Sequence, residues 1–396
     1  MKVLECIIYL PENIKSSYTR ISPITGKQMK MKSIKIILAI LVLLSCETKK
    51  SSKLRKDIIG EWTFVKEVDA RLSNNDNLPP PLPIPLGYIF FPNNTCENKF
   101  GFYKKFDHDQ TKIYYLGNRT RYKIDGNKLK IFDLSGNKWY IQKIVSITED
   151  TLTVQVRDSV FSKFVRAKYK IDPNENYDKI IVSTSGCMGP CPQLDISIEK
   201  NGDVLFFGKF NTTVQGMFYS KITAEDYSNI EENFKKADLK NIRNNYEANL
   251  TDDETITVTF IKNQKIIKSI TDNGRQSPPM LIWAYTSIRY LYQHIRLKPF
   301  QKKGMIMPIQ PILFETEKLS CDLTKSESFY LLTEILRGKV IKARFEPKYM
   351  IKFWNAEGKK EVLLTDGKLY KRKEKTIDIG YNFIEQNNLK FTIKND

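Results

Sequence analysis

Apolar and polar residues alternate with a period of two through much of the first half of the chain. Residues 62–68, 111–123, 128–132, 137–146, 151–157 and 161–171 each send one set of side chains inward and the other outward, as half-buried strands do. Asp125-Gly126-Asn127 sits between two of these runs and is a hairpin signal, because Asp, Gly and Asn tolerate positive φ. Short strands at regular spacing with turn residues between them predict an all-β meander barrel or sandwich over residues 54–172. The segment 74–85 interrupts the series. Its run Pro79-Pro80-Pro81-Leu82-Pro83-Ile84-Pro85 cannot pair as a central strand, and it predicts an extended insertion at a barrel mouth or edge.

Beyond residue 172 the period changes from two to 3.6 and back. Strands are expected at 178–183, 193–199, 203–210 and 214–222. Thr223-Ala224-Glu225-Asp226 then has the form of a capping box, and Tyr227, Ile230, Phe234 and Ala237 fall on one helical face. A hairpin at 254–262 and 265–271 turns at Asn263-Gln264. Pro278-Pro279 opens a second helix with its stripe at Leu281, Tyr285, Ile288, Tyr292 and Ile295. Residues 300–396 repeat the mixture on a smaller scale. A strand is expected within 308–323. Thr324 to Glu327 cap a helix striped by Phe329, Leu332, Ile335 and Leu336 and ended by Gly338. Strands follow at 339–345, 349–355, 359–365, 368–372 and 377–383. The expected fold class is therefore multidomain: an all-β barrel at 54–172, then two α+β modules with antiparallel sheets at 173–299 and 300–396.

The pattern at the N-terminus has a different origin. Lys32 and Lys35 precede the short apolar run 36–44, and Ser45-Cys46 follows at once, the layout of a secretory signal rather than a membrane span. Leu43-Leu44-Ser45-Cys46 resembles the bacterial lipobox, in which a peptidase cuts before a cysteine that carries acyl chains. The resemblance implies that Cys46 is the lipidated first residue of the mature protein, held to a membrane by two or more chains. Residues 1–30 have no signal layout of their own and read as an over-extended start. Residues 46–53, rich in Lys and Ser, read as a tether. Surface-displayed lipoproteins of some Bacteroidetes carry an acidic cluster just after the lipidated cysteine; this tether has Glu47 alone, so the resemblance implies a place on the outer membrane facing the periplasm.

Composition adds little chemistry and some electrostatics. Of 396 residues 64 are Lys or Arg and 45 Asp or Glu, a net charge of +19. Seven Lys/Arg and two Asp/Glu fall in the first 45 residues, so the excess after cleavage is +14. An anionic partner fits this balance, although general Lys use explains it as well, and no nucleic-acid module is recognisable. With two histidines, metal chemistry has little material, and neither a metal nor a cofactor is expected. Asp107-His108-Asp109 alternates faces if extended, and Asp252-Asp253-Glu254 reads as a polar loop. No nucleophile elbow, zinc-helix motif or phosphate loop occurs.

Cys46 aside, the predicted mature chain contains Cys96, Cys187, Cys191 and Cys321. Cys187 and Cys191 read as a structural disulfide closing a tight loop. A redox dithiol is the second reading, although the pair is spaced one residue wider than Cys-x-x-Cys and lies between strands. A metal site is the third, short of ligands.

Gly60-Glu61-Trp62 resembles the Gly-x-Trp of lipocalins. Together with 125–129 and 148–152 it is similar to the lipocalin-like domains of Bacteroidetes lipoproteins. The resemblance implies an eight-stranded barrel plugged at one end by Trp62, with Tyr115, Tyr122, Ile131 and Tyr140 lining its interior as candidate contacts for an apolar small molecule. Cys187-x-Gly189-x-Cys191-Pro192, the Asn201-Gly202 hairpin and Thr251-Asp252 resemble a domain of unknown function from the same lipoproteins, which carries no activity with it. The expected function is that of a lipid-anchored envelope protein with a non-enzymatic binding or assembly role, its partners being the membrane and an apolar molecule or another envelope protein. The alternative is an exported thiol oxidoreductase using Cys187 and Cys191, or an unrecognised hydrolase.

Overall fold

The computed structural model describes residues 51–71, 85–105, 112–248, 252–300, 311–354 and 360–394. Cys46, most of the proline run, His108 and the turn at 355–358 lie outside the described residues. Residues 51–57 form a short helix, α1. Ten strands follow: β1 (Gly60–Asp69), β2 (Gly87–Phe90), β3 (Thr95–Asn98), β4 (Tyr103–Lys105), β5 (Ile113–Tyr115), β6 (Arg119–Asp125), β7 (Lys128–Asp133), β8 (Lys138–Ile147), β9 (Thr151–Arg157) and β10 (Val160–Arg166). Eight of them close into an antiparallel barrel in the order β1-β10-β9-β8-β7-β6-β3-β2. This is the up-and-down closure expected of a lipocalin-like domain. Alternation is strict along β6, where Thr120, Tyr122 and Ile124 are buried and Arg119, Arg121, Lys123 and Asp125 exposed. Gly126 takes φ +57° in the β6–β7 hairpin, as its turn chemistry requires.

Three local expectations change. Residues 51–53, tether by composition, are the first turn of α1, because Leu54 and Ile58 pack on the barrel core. The run 111–123 is not one strand. Gly117, at φ +92°, breaks it, so β5 pairs with β4 in a separate hairpin while β6 joins the barrel. The last strand ends at Arg166 rather than 171.

The second sheet has the order β15-β17-β16-β11-β12-β13-β14-β18. Its members are β11 (Lys179–Thr184), β12 (Gln193–Glu199), β13 (Asp203–Phe210), β14 (Gly216–Lys221), β15 (Asn245–Tyr246), β16 (Thr255–Lys262), β17 (Lys265–Asn273) and β18 (Lys298–Pro299). Helix α2 (Ala224–Lys235) starts with the expected capping box, Thr223 with Asp226, and α3 (Pro279–Arg289) starts on proline. Both helices cover a mainly apolar face containing Ile180, Val182, Ile196, Phe206, Val258 and Phe260.

The opposite face of this sheet is buried too. Helix α4 (Lys325–Arg337), capped by Thr324 and Glu327, lies against it and touches β11, β12 and β16. Phe329, Leu332 and Ile335 join Ile181, Met217 and Ile261 in one core with Ile351, Leu363 and Tyr370 of the third sheet. That sheet, in the order β21-β25-β24-β23-β22-β19-β20-β26, is built from β19 (Leu313–Glu315), β20 (Leu319–Asp322), β21 (Lys339–Ile341), β22 (Tyr349–Trp354), β23 (Lys360–Thr365), β24 (Leu369–Arg372), β25 (Lys375–Asp378) and β26 (Thr392–Ile393). The strand expected at 377–383 stops at Asp378, because Asn382 caps the short helix α5 (Phe383–Gln386). Residues 51–396 form one compact unit.

Candidate functional site

Trp62 is fully buried at the α1 end of the barrel. Its Nε1–H donates to the Ile58 carbonyl at 2.7 Å, and the Arg166 guanidinium stacks over its ring at 4.3 Å. Arg166 also donates to Ile59 and Asp57, at 2.7 and 3.1 Å, and so ties the end of α1 across the barrel floor. Gly60 is required here. It sits at φ +125°, and a Cβ would run into the same guanidinium. Arg166 has no local sequence signal, since the Asp57 and Ile59 carbonyls and the Trp62 ring lie more than 100 residues away and the nearest partner, the Glu149 carbonyl, 17.

Tyr122 and Ile131 face inward, paired across β6 and β7, and are buried with Phe90, Cys96 and Phe164. Tyr122 meets Phe90 edge-on at 5.0 Å, and Tyr88 stacks on Phe90 at 5.7 Å. Rings thus occupy the interior. Tyr140 pairs with Ile131 and shares its inward parity, yet 44% of it is exposed, which places it at the rim. Tyr115 does not line the barrel. It leaves with the β4–β5 hairpin and packs on Tyr290 at 5.2 Å in the core of the second sheet, because the strand break at Gly117 redirects it.

Cys187 and Cys191 stand at disulfide distance, S–S 2.01 Å, in the loop between β11 and β12. Neighbours hold this loop: Asn211 Nδ2 donates to the carbonyls of Gly189 and Cys191, both at 3.2 Å, and the Met188 N–H donates to Asp252 at 3.3 Å. Both sulfurs belong to half-buried residues, and Met188 at the tip is 83% exposed. Cys96 and Cys321 are free thiols buried in separate cores. Burial pushes the Cys96 thiol up to about 12 and the Cys321 thiol to about 11.

Two buried charge clusters escaped sequence reasoning. Glu254, expected in a polar loop, is buried and accepts from Arg289 NH2 with both oxygens, at 2.5 and 2.6 Å. Lys179 is buried between β11 and α4, 2.9 Å from Glu334 and 3.3 Å from Glu199. Partners 35 and 155 residues apart leave no periodic trace.

Cavities among the described residues lie outside the barrel interior. One of about 340 Å³ lies between β12–β14 and the end of α4, walled by Val204, Leu205, Phe300 and Leu336. Its carboxylates are already in ion pairs, Glu199 with Arg337 at 2.5 Å and Asp203 with Lys221 at 3.3 Å. A second, of about 600 Å³, has mixed walls, with Asn174, Glu175, Lys262 and Lys268 beside Leu239 and Ile267. A third, about 40 Å³ beside the Glu61–Lys99 pair, has room for water. Among the described residues no cluster of three or more His, Cys, Asp or Glu is placed to hold a metal ion, and no helix is long and apolar enough to cross a membrane.

No curated protein matches the chain. Residues 178–292, which carry the disulfide loop, Glu254, Arg289 and the sheet face beneath α2 and α3, match the family model of DUF6438, a domain of unknown function.

Proposed function

We propose that this is a lipid-anchored protein of the bacterial cell envelope, facing the periplasm, with a non-enzymatic binding or assembly role exerted through its surfaces. The observation that carries this reading is the barrel interior. Trp62, Tyr88, Phe90, Tyr122 and Phe164 fill the space in which a lipocalin-like barrel would hold a ligand. Recognition then falls to exposed features such as the tip of the disulfide loop at Met188. The half-buried Cys187–Cys191 pair suits an oxidising compartment, and the Ser45-Cys46 junction supplies the anchor.

One observation favours a second reading, a thiol oxidoreductase: Cys187 and Cys191 are only half-buried residues. Against it, the pair sits between two strands rather than at a helix N-terminus, which would lower a thiol pKa.

Fractionation and mass spectrometry test the anchored reading. The wild-type protein is expected in membranes, with an acylated N-terminal Cys46, and Cys46→Ala is expected to abolish the acylated form. A soluble wild-type protein, or one whose mature N-terminus precedes Cys46, overturns it. Catalytic disulfide exchange with a peptide substrate that is lost in Cys187→Ser would establish the second reading instead.

A further inference from the structure

The outer wall of the barrel over β6, β7 and β8 crowds positive charge. Register places Lys123 directly opposite Lys130, and Lys128 directly opposite Lys143. Like charges facing each other across a ladder repel. Asp125 at the hairpin turn offsets part of this, lying opposite Lys128 and binding Lys130 at 2.8 Å, one carboxylate against four lysines. Between these cations lie apolar groups. Phe132 pairs with Trp139, Arg121 stands over the Phe132 ring at 4.8 Å, and Lys123 over the Trp139 ring at 4.4 Å. Ile141, opposite Lys130, is 52% exposed, and Val145, farther along β8, is 49% exposed.

We propose that this wall is a membrane-contact surface that lies against an anionic phospholipid leaflet. Phosphate headgroups would relieve both lysine pairs, and Trp139, Ile141 and Val145 would enter the interfacial layer, where amphipathic and apolar side chains are favoured. A hydrated polyanion offers the lysines the same charge but gives the exposed aliphatic residues nothing to bury against. The position of the wall agrees. Ile124, the residue after Lys123, accepts hydrogen bonds from Arg55 at 3.0 Å and Ser51 at 3.5 Å, so α1 packs at the edge of the wall. Five peptide steps separate Ser51 from Cys46, a covalent reach of at most about 18 Å. The bilayer's nearness rests on the anchored reading; the chemistry of the wall does not.

The test uses residues 47–396, which contain the whole compact unit and no acyl chain. The chain is sedimented with phosphatidylcholine vesicles, and with vesicles containing about one third phosphatidylglycerol, at low and high salt. Binding is expected to the anionic vesicles alone, to be lost at high salt, and to shift the Trp139 emission to the blue, a change absent in Trp139→Phe. Each basic residue near an anionic surface strengthens binding about fivefold, so Lys123→Glu with Lys143→Glu should weaken it at least tenfold. Lys66→Glu, on β1 at the opposite side of the barrel, should leave it unchanged. Circular dichroism checks that each variant is folded. Absent binding, equal binding to neutral vesicles, an equal loss in Lys66→Glu, or capture by an anionic polysaccharide but not by vesicles overturns the proposal. An acylated Cys46 with unbound vesicles fails the wall and keeps the anchor, and the converse result separates them the other way.

Discussion

Burial divides the cysteines by what surrounds each sulfur. Cys96 sits among Phe90 and Tyr122, Cys321 beneath α4, and both thiols hold their protons far above the ordinary range. At pH 8 only about one Cys96 in ten thousand is thiolate, the reactive form. Iodoacetamide on the folded protein should therefore leave Cys96 and Cys321 unmodified, and should label Cys187 and Cys191 only after reductant. A peptide map with Cys187 and Cys191 alkylated without reductant refutes this. The sign for stability follows. A thiol whose folded pKa is raised favours the fold fully below its unfolded value near ~8.5, and this contribution is lost as pH rises toward about 12 for Cys96. At this scale the inward parity of Tyr122, Ile131 and Tyr140 was legible from alternation. Tyr115 was not, because one glycine turned a continuous apolar pattern into two strands. Arg166 and the Glu254–Arg289 pair had no signal, since their chemistry depends on residues brought together only by the tertiary fold.

Elements with a start signal and a periodic face were the most readable. Helices α2 and α4 begin at the threonines whose side chains cap them, and β9, β12 and β13 occupy the residues their alternation marks. Strands of two to four residues, such as β2, β15, β18 and β26, were not legible, because so short a run carries no period and exists only by pairing with a distant partner. The β4–β5 hairpin shows what that costs. Its outer edge is satisfied by one side chain: Gln293 Oε1 accepts from the Tyr115 N–H, and its Nε2 donates to the Ile113 carbonyl, both at 2.9 Å. Gln293→Ala strips both partners from partly buried groups and should cost about 1–3 kcal/mol. The loss should be local. Hydrogen exchange is expected to speed at residues 113–115 while amides of β11 and β16 keep their protection. Unchanged exchange at 113–115 would show that the hairpin is held by its rings alone.

At the scale of the molecule, the second sheet determines how the parts hold together. Its α2/α3 face is mainly apolar, with Thr184 and Asp272, the latter bonded to Tyr285 of α3, as exceptions, whereas the α4 face alternates Lys179, Ile181 and Ser183 on β11 with Thr257 and Thr259 on β16, as a sheet face normally turned to water would. Helix α4 brings polar partners to match alongside its apolar residues. Ser326 bonds Thr259 at 2.7 Å, Lys325 binds Asp195 at 2.6 Å, and Glu334 receives Lys179. This interface was invisible in the sequence because a polar strand face predicts solvent, and only the fold places a helix there. Lys179 is the test of how firmly the two sheets are joined. Lys179→Met leaves Glu334 near a buried site without its cation, and removing one partner of such a pair costs about 3–5 kcal/mol. Because Ile181, Met217 and Ile261 share a core with α4 and the third sheet, the loss cannot stay in one sheet. Calorimetry of residues 47–396 should show one transition covering both sheets, lowered by roughly 10 °C in Lys179→Met. Lys179→Met with Glu334→Leu should recover most of it, since an apolar pair of similar volume replaces the ion pair at little net cost. Two separate transitions, with only one displaced, would mean that α4 rests on the sheet without being coupled to it.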